Sequence, residues 1–98
     1  MSKVLETVIY KPKPGISSAE ALHKIETVMD PLLHKVGGLE RIWRSTMADG
    51  TLVDTVLWAD EAAYRRAEAA TSQEPALGPI FALFDEQSLF MAHARVFE

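Results

Sequence analysis

Residues 39–70, LERIWRSTMADGTLVDTVLWADEAAYRRAEAA, decide the fold. Two strand-like runs, 39–48 and 51–59, flank Asp49-Gly50, a dipeptide suited to a two-residue hairpin turn because both central positions take positive φ. If Ala48 pairs with Thr51, alternation places Arg41, Trp43, Ser45 and Met47 on one face with Leu52, Asp54, Val56 and Trp58. Ile42, Arg44 and Thr46 then share the other face with Val53, Thr55 and Leu57. Both faces are largely apolar, so each side of the hairpin must be covered. Directly after Trp58, Asp60 is a good N-cap for a helix reaching about Thr71. Its Ala63, Ala67 and Ala70, with Tyr64, form a face able to lie close to a sheet.

Working outward, residues 4–10 (VLETVIY) read as a first strand that stops at Pro12-Lys13-Pro14-Gly15. Ser17 and Glu20 form a capping box, and Leu22, Ile25, Met29, Leu32, Leu33 and Val36 recur at helical spacing until Gly37-Gly38 ends the run. Pro31 removes one backbone donor, so a kink or break is expected near Asp30. Pro75 and Pro79 bracket a stretch fit for a helical turn or two, and Leu89–Phe97 reads as the last strand. The order is βαββαβ, the pattern of a ferredoxin-like α+β domain with an antiparallel sheet and its helices on one face. Residues 1–98 read as one such domain. The face opposite the helices, with Ile42, Val53 and Leu57, then requires a partner, and a two-fold homodimer supplies one.

Composition narrows the function. The 98 residues are 48% hydrophobic and 24% charged, which is globular rather than disordered. A net charge of -4 without any Lys/Arg cluster gives no footprint for nucleic acid. With zero cysteines, disulfides, thiolate metal sites and a Cys nucleophile are excluded, which fits a cytoplasmic protein. No apolar run has the length of a signal peptide core or a membrane span. Phosphate loops, dinucleotide fingerprints and clustered His/Glu metal signatures do not occur, so no cofactor and no metal are expected. His23, Asp30 and His34 fall on one flank of the first helix and read as a solvated surface rather than a metal site.

The element order, the strand-to-helix junction "LWADEAAY" and the Pro/Gly loop after strand one resemble the dimeric α+β-barrel superfamily, which includes the antibiotic-biosynthesis-monooxygenase-like proteins. The resemblance covers nearly the whole chain and implies that two sheets close into one barrel. Cofactor-independent quinone-forming monooxygenases of that superfamily carry a polar residue, a Trp four positions later and a Tyr six beyond it. The matching positions here are Asp54, Trp58 and Tyr64. Asp54 stands where those enzymes have an amide, so a neutral hydrogen-bonding role becomes an acidic one. Haem-degrading relatives need an Asn on strand one, where this chain has Val8, and a His after the second helix, where residues 71–86 contain none.

Independently of the resemblance, face alternation suggests a pocket walled by Trp43, Trp58 and Tyr64, suited to a flat conjugated ligand. Asp54 or His93 would take a proton from such a ligand, Arg41 would steady the resulting anion, and the delocalised carbanion would react with oxygen. Packing into a core is the competing reading for both tryptophans, and pairing with Arg41 the competing reading for Asp54. Two classes of function stay open. One is a cofactor-independent monooxygenase acting on an aromatic or polyketide-like molecule. The other is a non-catalytic dimeric domain that binds a small apolar ligand or serves a stress response.

Overall fold

The computed structural model describes residues 2–97, so Met1 and Glu98, the ends of the expected domain, lie outside the described residues. Strand β1 (Val4–Pro12) is followed by α1 (Ser18–Val36), the hairpin β2 (Leu39–Thr46) and β3 (Leu52–Trp58), then α2 (Glu61–Ser72). A 3₁₀ turn (Pro75–Leu77) leads into the short α3 (Gly78–Phe81) and the long β4 (Phe84–Arg95). All neighbours are antiparallel, in the order β2-β3-β1-β4. This is the ferredoxin-like α+β architecture.

The helix starts are set by the residues expected to set them. Ser17 Oγ accepts from the Glu20 amide at 3.0 Å, and Asp60 Oδ1 accepts from the Ala63 amide at 2.8 Å. Pro31 does not break α1, which runs unbroken from Ser18 to Val36. The apolar stripe lies on the core on both sides of it, Ile25 before and Leu33 after, so packing carries the helix through the lost donor.

Strand β3 shows which face the helices cover. Leu52, Asp54, Val56 and Trp58 are buried, while the intervening Val53, Thr55 and Leu57 are only partly so. Val4, Val56 and Trp58 pack with Leu33 of α1 and with Ala63, Tyr64 and Ala67 of α2. A second cluster joins Tyr10 and Leu52 to Ala21 and Ile25 of α1 and to Leu77 and Ile80.

The hairpin register departs from the expected one by a single residue. Met47 N–H donates to the Thr51 carbonyl at 2.7 Å and Gly50 N–H to the Met47 carbonyl at 2.9 Å, with Gly50 at φ 91. The loop is therefore the three residues Ala48-Asp49-Gly50, a turn closed by a glycine in the left-handed region. Thr46 pairs with Leu52, Arg44 with Asp54 and Ile42 with Val56. A one-residue shift moves the β2 side chains from Arg41 to Thr46 to the opposite face, while a further register shift between Leu39 and Arg41 keeps Leu39 opposite Trp58, against the core. Arg44 and Ile42 thus lie under the helices, while Arg41, Trp43 and Ser45 lie on the open face with Val53, Thr55 and Leu57. Ile42, expected to be uncovered, packs against the core instead.

Strand β4 begins earlier than expected. Phe84 pairs with Pro12 and Asp85 with Lys11, before a register shift near Ile9 that leads into the Ile9–Phe90 pairing.

Candidate functional site

Between the sheet and the helices lies a cavity of about 520 Å³, within the usual range for a small-molecule site. Val8, Ile25, Met29, Leu33, Val56 and Phe84 supply apolar wall. The polar groups facing it come from the alternation of β1 and β3: Glu6 and Tyr10 follow Val4 at every second residue, and Asp54 lies two residues before Val56.

An ionic cluster forms part of the lining. The Arg44 guanidinium meets Asp54 Oδ2 at 2.7 Å and also bonds Asp30 of α1, while Tyr10 Oη–H donates to the same Asp54 oxygen at 2.7 Å. The Arg44 and Asp54 side chains are 7% and 9% exposed, so both charges are held out of water. Asp54 Oδ1 and Arg44 Nε are buried without a hydrogen-bond partner. Burial raises the Asp54 carboxyl above its ordinary range, against the opposing pull of Arg44 and Tyr10. Burial works against the Arg44 charge, but Asp54 and Asp30 outweigh it and hold the guanidinium protonated. Burial, followed by the Asp54 charge, raises the Tyr10 phenol, keeping it a donor.

Glu6 is the second centre. Its Oε1 accepts from the Trp58 indole N–H at 3.0 Å. Burial raises its carboxyl, more than the Trp58 bond and the neighbouring His93 lower it. Among the described residues, no Lys, Arg or His side chain forms an ion pair with it. Beside it, Tyr64 Oη–H donates to Glu68 Oε2 at 3.3 Å, and burial followed by the Glu68 charge raises that phenol.

The residues expected to carry the chemistry are only partly brought together. Asp54 and Tyr64 line the cavity. Trp58 is fully enclosed in the core and reaches the cavity only through its N–H on Glu6, so the packed reading of its ring holds. His93 is the register partner of Glu6, but it stacks on Tyr64 at 4.2 Å and lies 3.7 Å from Glu61, outside the lining. Arg41 and Trp43, expected as pocket residues, are corrected to the open face, where the Arg41 guanidinium sits 4.8 Å over the Trp43 ring. Their slip follows from the turn length. Glu6, Tyr10, Arg44 and Glu68 are lining residues that the sequence reading missed. Glu6 and Tyr10 were visible as every-second residues of VLETVIY, and Arg44 required the right loop.

His23 and His34 are exposed as expected, whereas Asp30 is engaged by Arg44. Among the described residues, no group of three or more His, Cys, Asp or Glu is placed to hold a metal ion. Nor is any helix there long and apolar enough to cross a membrane.

With this geometry in hand, the backbone matches solved structures over nearly all of its length. A mutant of SnoaB, a cofactor-independent oxygenase from Streptomyces nogalater, aligns with a TM-score of 0.73 at 18% identity, covering 100% of this chain and 94% of that one. The monooxygenase from the gene ActVA-Orf6 of Streptomyces coelicolor, solved with nanaomycin D, aligns at 0.79 and 14% identity, covering 99% and 89%. A dimeric ferredoxin-like protein from an uncultured marine organism aligns at 0.76 and 9% identity, covering 100% and 90%. The chain has the ferredoxin-like fold of these solved structures. No family model matches its sequence, and no curated protein matches it.

Proposed function

We propose that this chain is a cofactor-independent monooxygenase of a small conjugated molecule and that it works as a homodimer. The carrying observation is the cavity of about 520 Å³, apolar on most sides, in which Glu6 forms no ion pair among the described residues and stands beside the Tyr10–Asp54–Arg44 cluster. Oxygenases and monooxygenases among the solved structures of this fold support the same reading.

In this reading Glu6 takes a proton from an acidic C–H of the ligand. A carboxyl lifted by burial is a stronger base than one in water, and Trp58, bonded to Oε1, leaves Oε2 free for the substrate. The Asp54 charge is matched by Arg44, with Tyr10 bonded to the same oxygen, so in this reading Asp54 anchors and orients rather than accepting the proton. Trp58 is a positioning residue for Glu6. Tyr64, with His93 stacked behind it, forms the wall toward α2. The carbanion gives its electrons to dioxygen, the resulting hydroperoxide loses water, and a methylene plus dioxygen becomes a carbonyl plus water. Substrate and dioxygen alone close that balance.

The homodimer reading rests on the open face, where Leu5, Ile9, Val53 and Leu57 are only partly covered and Trp43 and Phe90 are exposed. The marine structure of the same fold, described as dimeric, supports it.

Anthrone, a tricyclic C–H acid, tests the reaction in air-saturated buffer. The expected result is anthraquinone absorbance with matching dioxygen uptake, lost in Glu6→Gln. Binding of tricyclic ligands without turnover by any C–H acid would overturn the enzyme and leave a ligand-binding dimer.

A further inference from the structure

The charges around the cavity restrict what can enter it. Among the described residues four carboxylates line it, Glu6, Asp54, Glu68 and Glu86, against a single cation, Arg44. The Arg44 charge is already shared between Asp54 and Asp30. Arg65, an outer cation over the Tyr64 ring, lies exposed on α2 and is divided between Glu61 and Glu68, and His93, stacked on the same ring, lies 3.7 Å from Glu61. An incoming anion would therefore meet no uncommitted cation in the lining and several like charges. Asp54, more than nine-tenths buried, adds an acceptor oxygen without a partner, and Arg44 Nε adds one unpartnered donor whose charge is already matched. A neutral hydroxyl or carbonyl can serve such groups, whereas a carboxylate adds charge that nothing here neutralises.

We infer that the cavity admits uncharged or cationic aromatic molecules and rejects carboxylates, so that the substrate is a ring system carrying hydroxyl or carbonyl groups but no free acid. This rests on the reading of the cavity as a ligand site, not on the oxidation chemistry. It also sets the sign of the discrimination: burying any charge in an apolar cavity is costly, but a lining of carboxylates penalises anions alone.

Three naphthalene probes of one shape separate these effects: naphthylmethanol, naphthylmethylamine and naphthoic acid, titrated into the full chain near neutral pH by calorimetry and by thermal shift. The expected result is that the acid binds roughly tenfold or more weakly than the alcohol while the amine does not share that loss. In Glu6→Gln, which keeps an acceptor for Trp58, the gap between acid and alcohol should narrow. Equal binding of acid and alcohol would overturn the inference. So would an equal loss for acid and amine, because charge burial rather than charge sign would then govern. If none of the three probes binds, the cavity itself is not a ligand site and both readings fall. The wild-type series decides the inference even if the variant does not fold.

Discussion

Arg44 and Asp54 face each other across the β2–β3 hairpin, and their side chains meet at 2.7 Å beneath the helices. Because Arg44 also bonds Asp30, this one guanidinium ties the hairpin to α1. Arg44→Met would leave the Asp54 charge buried without its cation, and the expected loss is about 3–5 kcal/mol in urea denaturation. The double variant Arg44→Met/Asp54→Leu should recover a large part of it, since removing both charges removes the desolvation cost. A single variant as stable as wild type would mean that the pair does not form.

Glu6 gives a pH dependence whose sign follows from burial. Its folded carboxyl is raised above the ordinary 4.5, so the folded state holds the proton more tightly than the unfolded chain does. That contribution to stability is fully present below the unfolded value and is lost as pH rises through the folded one. Glu6→Gln lacks the titration. Its melting temperature relative to wild type should rise between about pH 4 and about pH 7, with Asp54, Glu68 and His93 unchanged in both proteins. A constant difference across that range would show that Glu6 titrates as an ordinary surface carboxyl.

Trp58 is enclosed on all sides and bonded to Glu6. Trp58→Phe should leave a void and an unmet acceptor on Glu6, costing on the order of 1–3 kcal/mol in chemical denaturation. Unchanged stability would mean that the indole has open space beside it.

Leu57 lies on the open face, the same face as Val53, and opposite Leu5 of β1. Under the proposed homodimer, light scattering of the wild type at micromolar concentration should give twice the monomer mass, and Leu57→Asp should split or unfold the assembly by burying an unpaired charge. A wild-type monomer, or a variant with unchanged mass and melting, would remove this face from any interface.

What was legible in the sequence follows the range of the interactions involved. The caps at Ser17 and Asp60 are decided by a hydroxyl or carboxylate three residues from its amide, and they stand where the sequence puts them. The buried face of β3 follows from its own two-residue period. Where β4 begins was not legible, because Phe84 and Asp85 join the sheet through pairing with Pro12 and Lys11, more than seventy residues away in the chain, and Ser88 Oγ accepts from the Lys11 amide at 2.8 Å.

The sequence by itself determined the element order, the single helical layer and the apolar character of both sheet faces, because periodicity and capping are local and additive along the chain. Only the tertiary structure decided which residues meet in the cavity. The Ala48-Asp49-Gly50 loop holds three residues rather than two, and that single residue exchanges Arg41 and Trp43 for Ile42 and Arg44 under the helices. Side chains alternate with a period of two, so a turn one residue longer inverts the face of a whole strand while leaving its composition unchanged. Glu6 and Asp54, forty-eight positions apart, become neighbours on one face only once β1 pairs with β3, and the cavity they line exists only when α1 and α2 close over them.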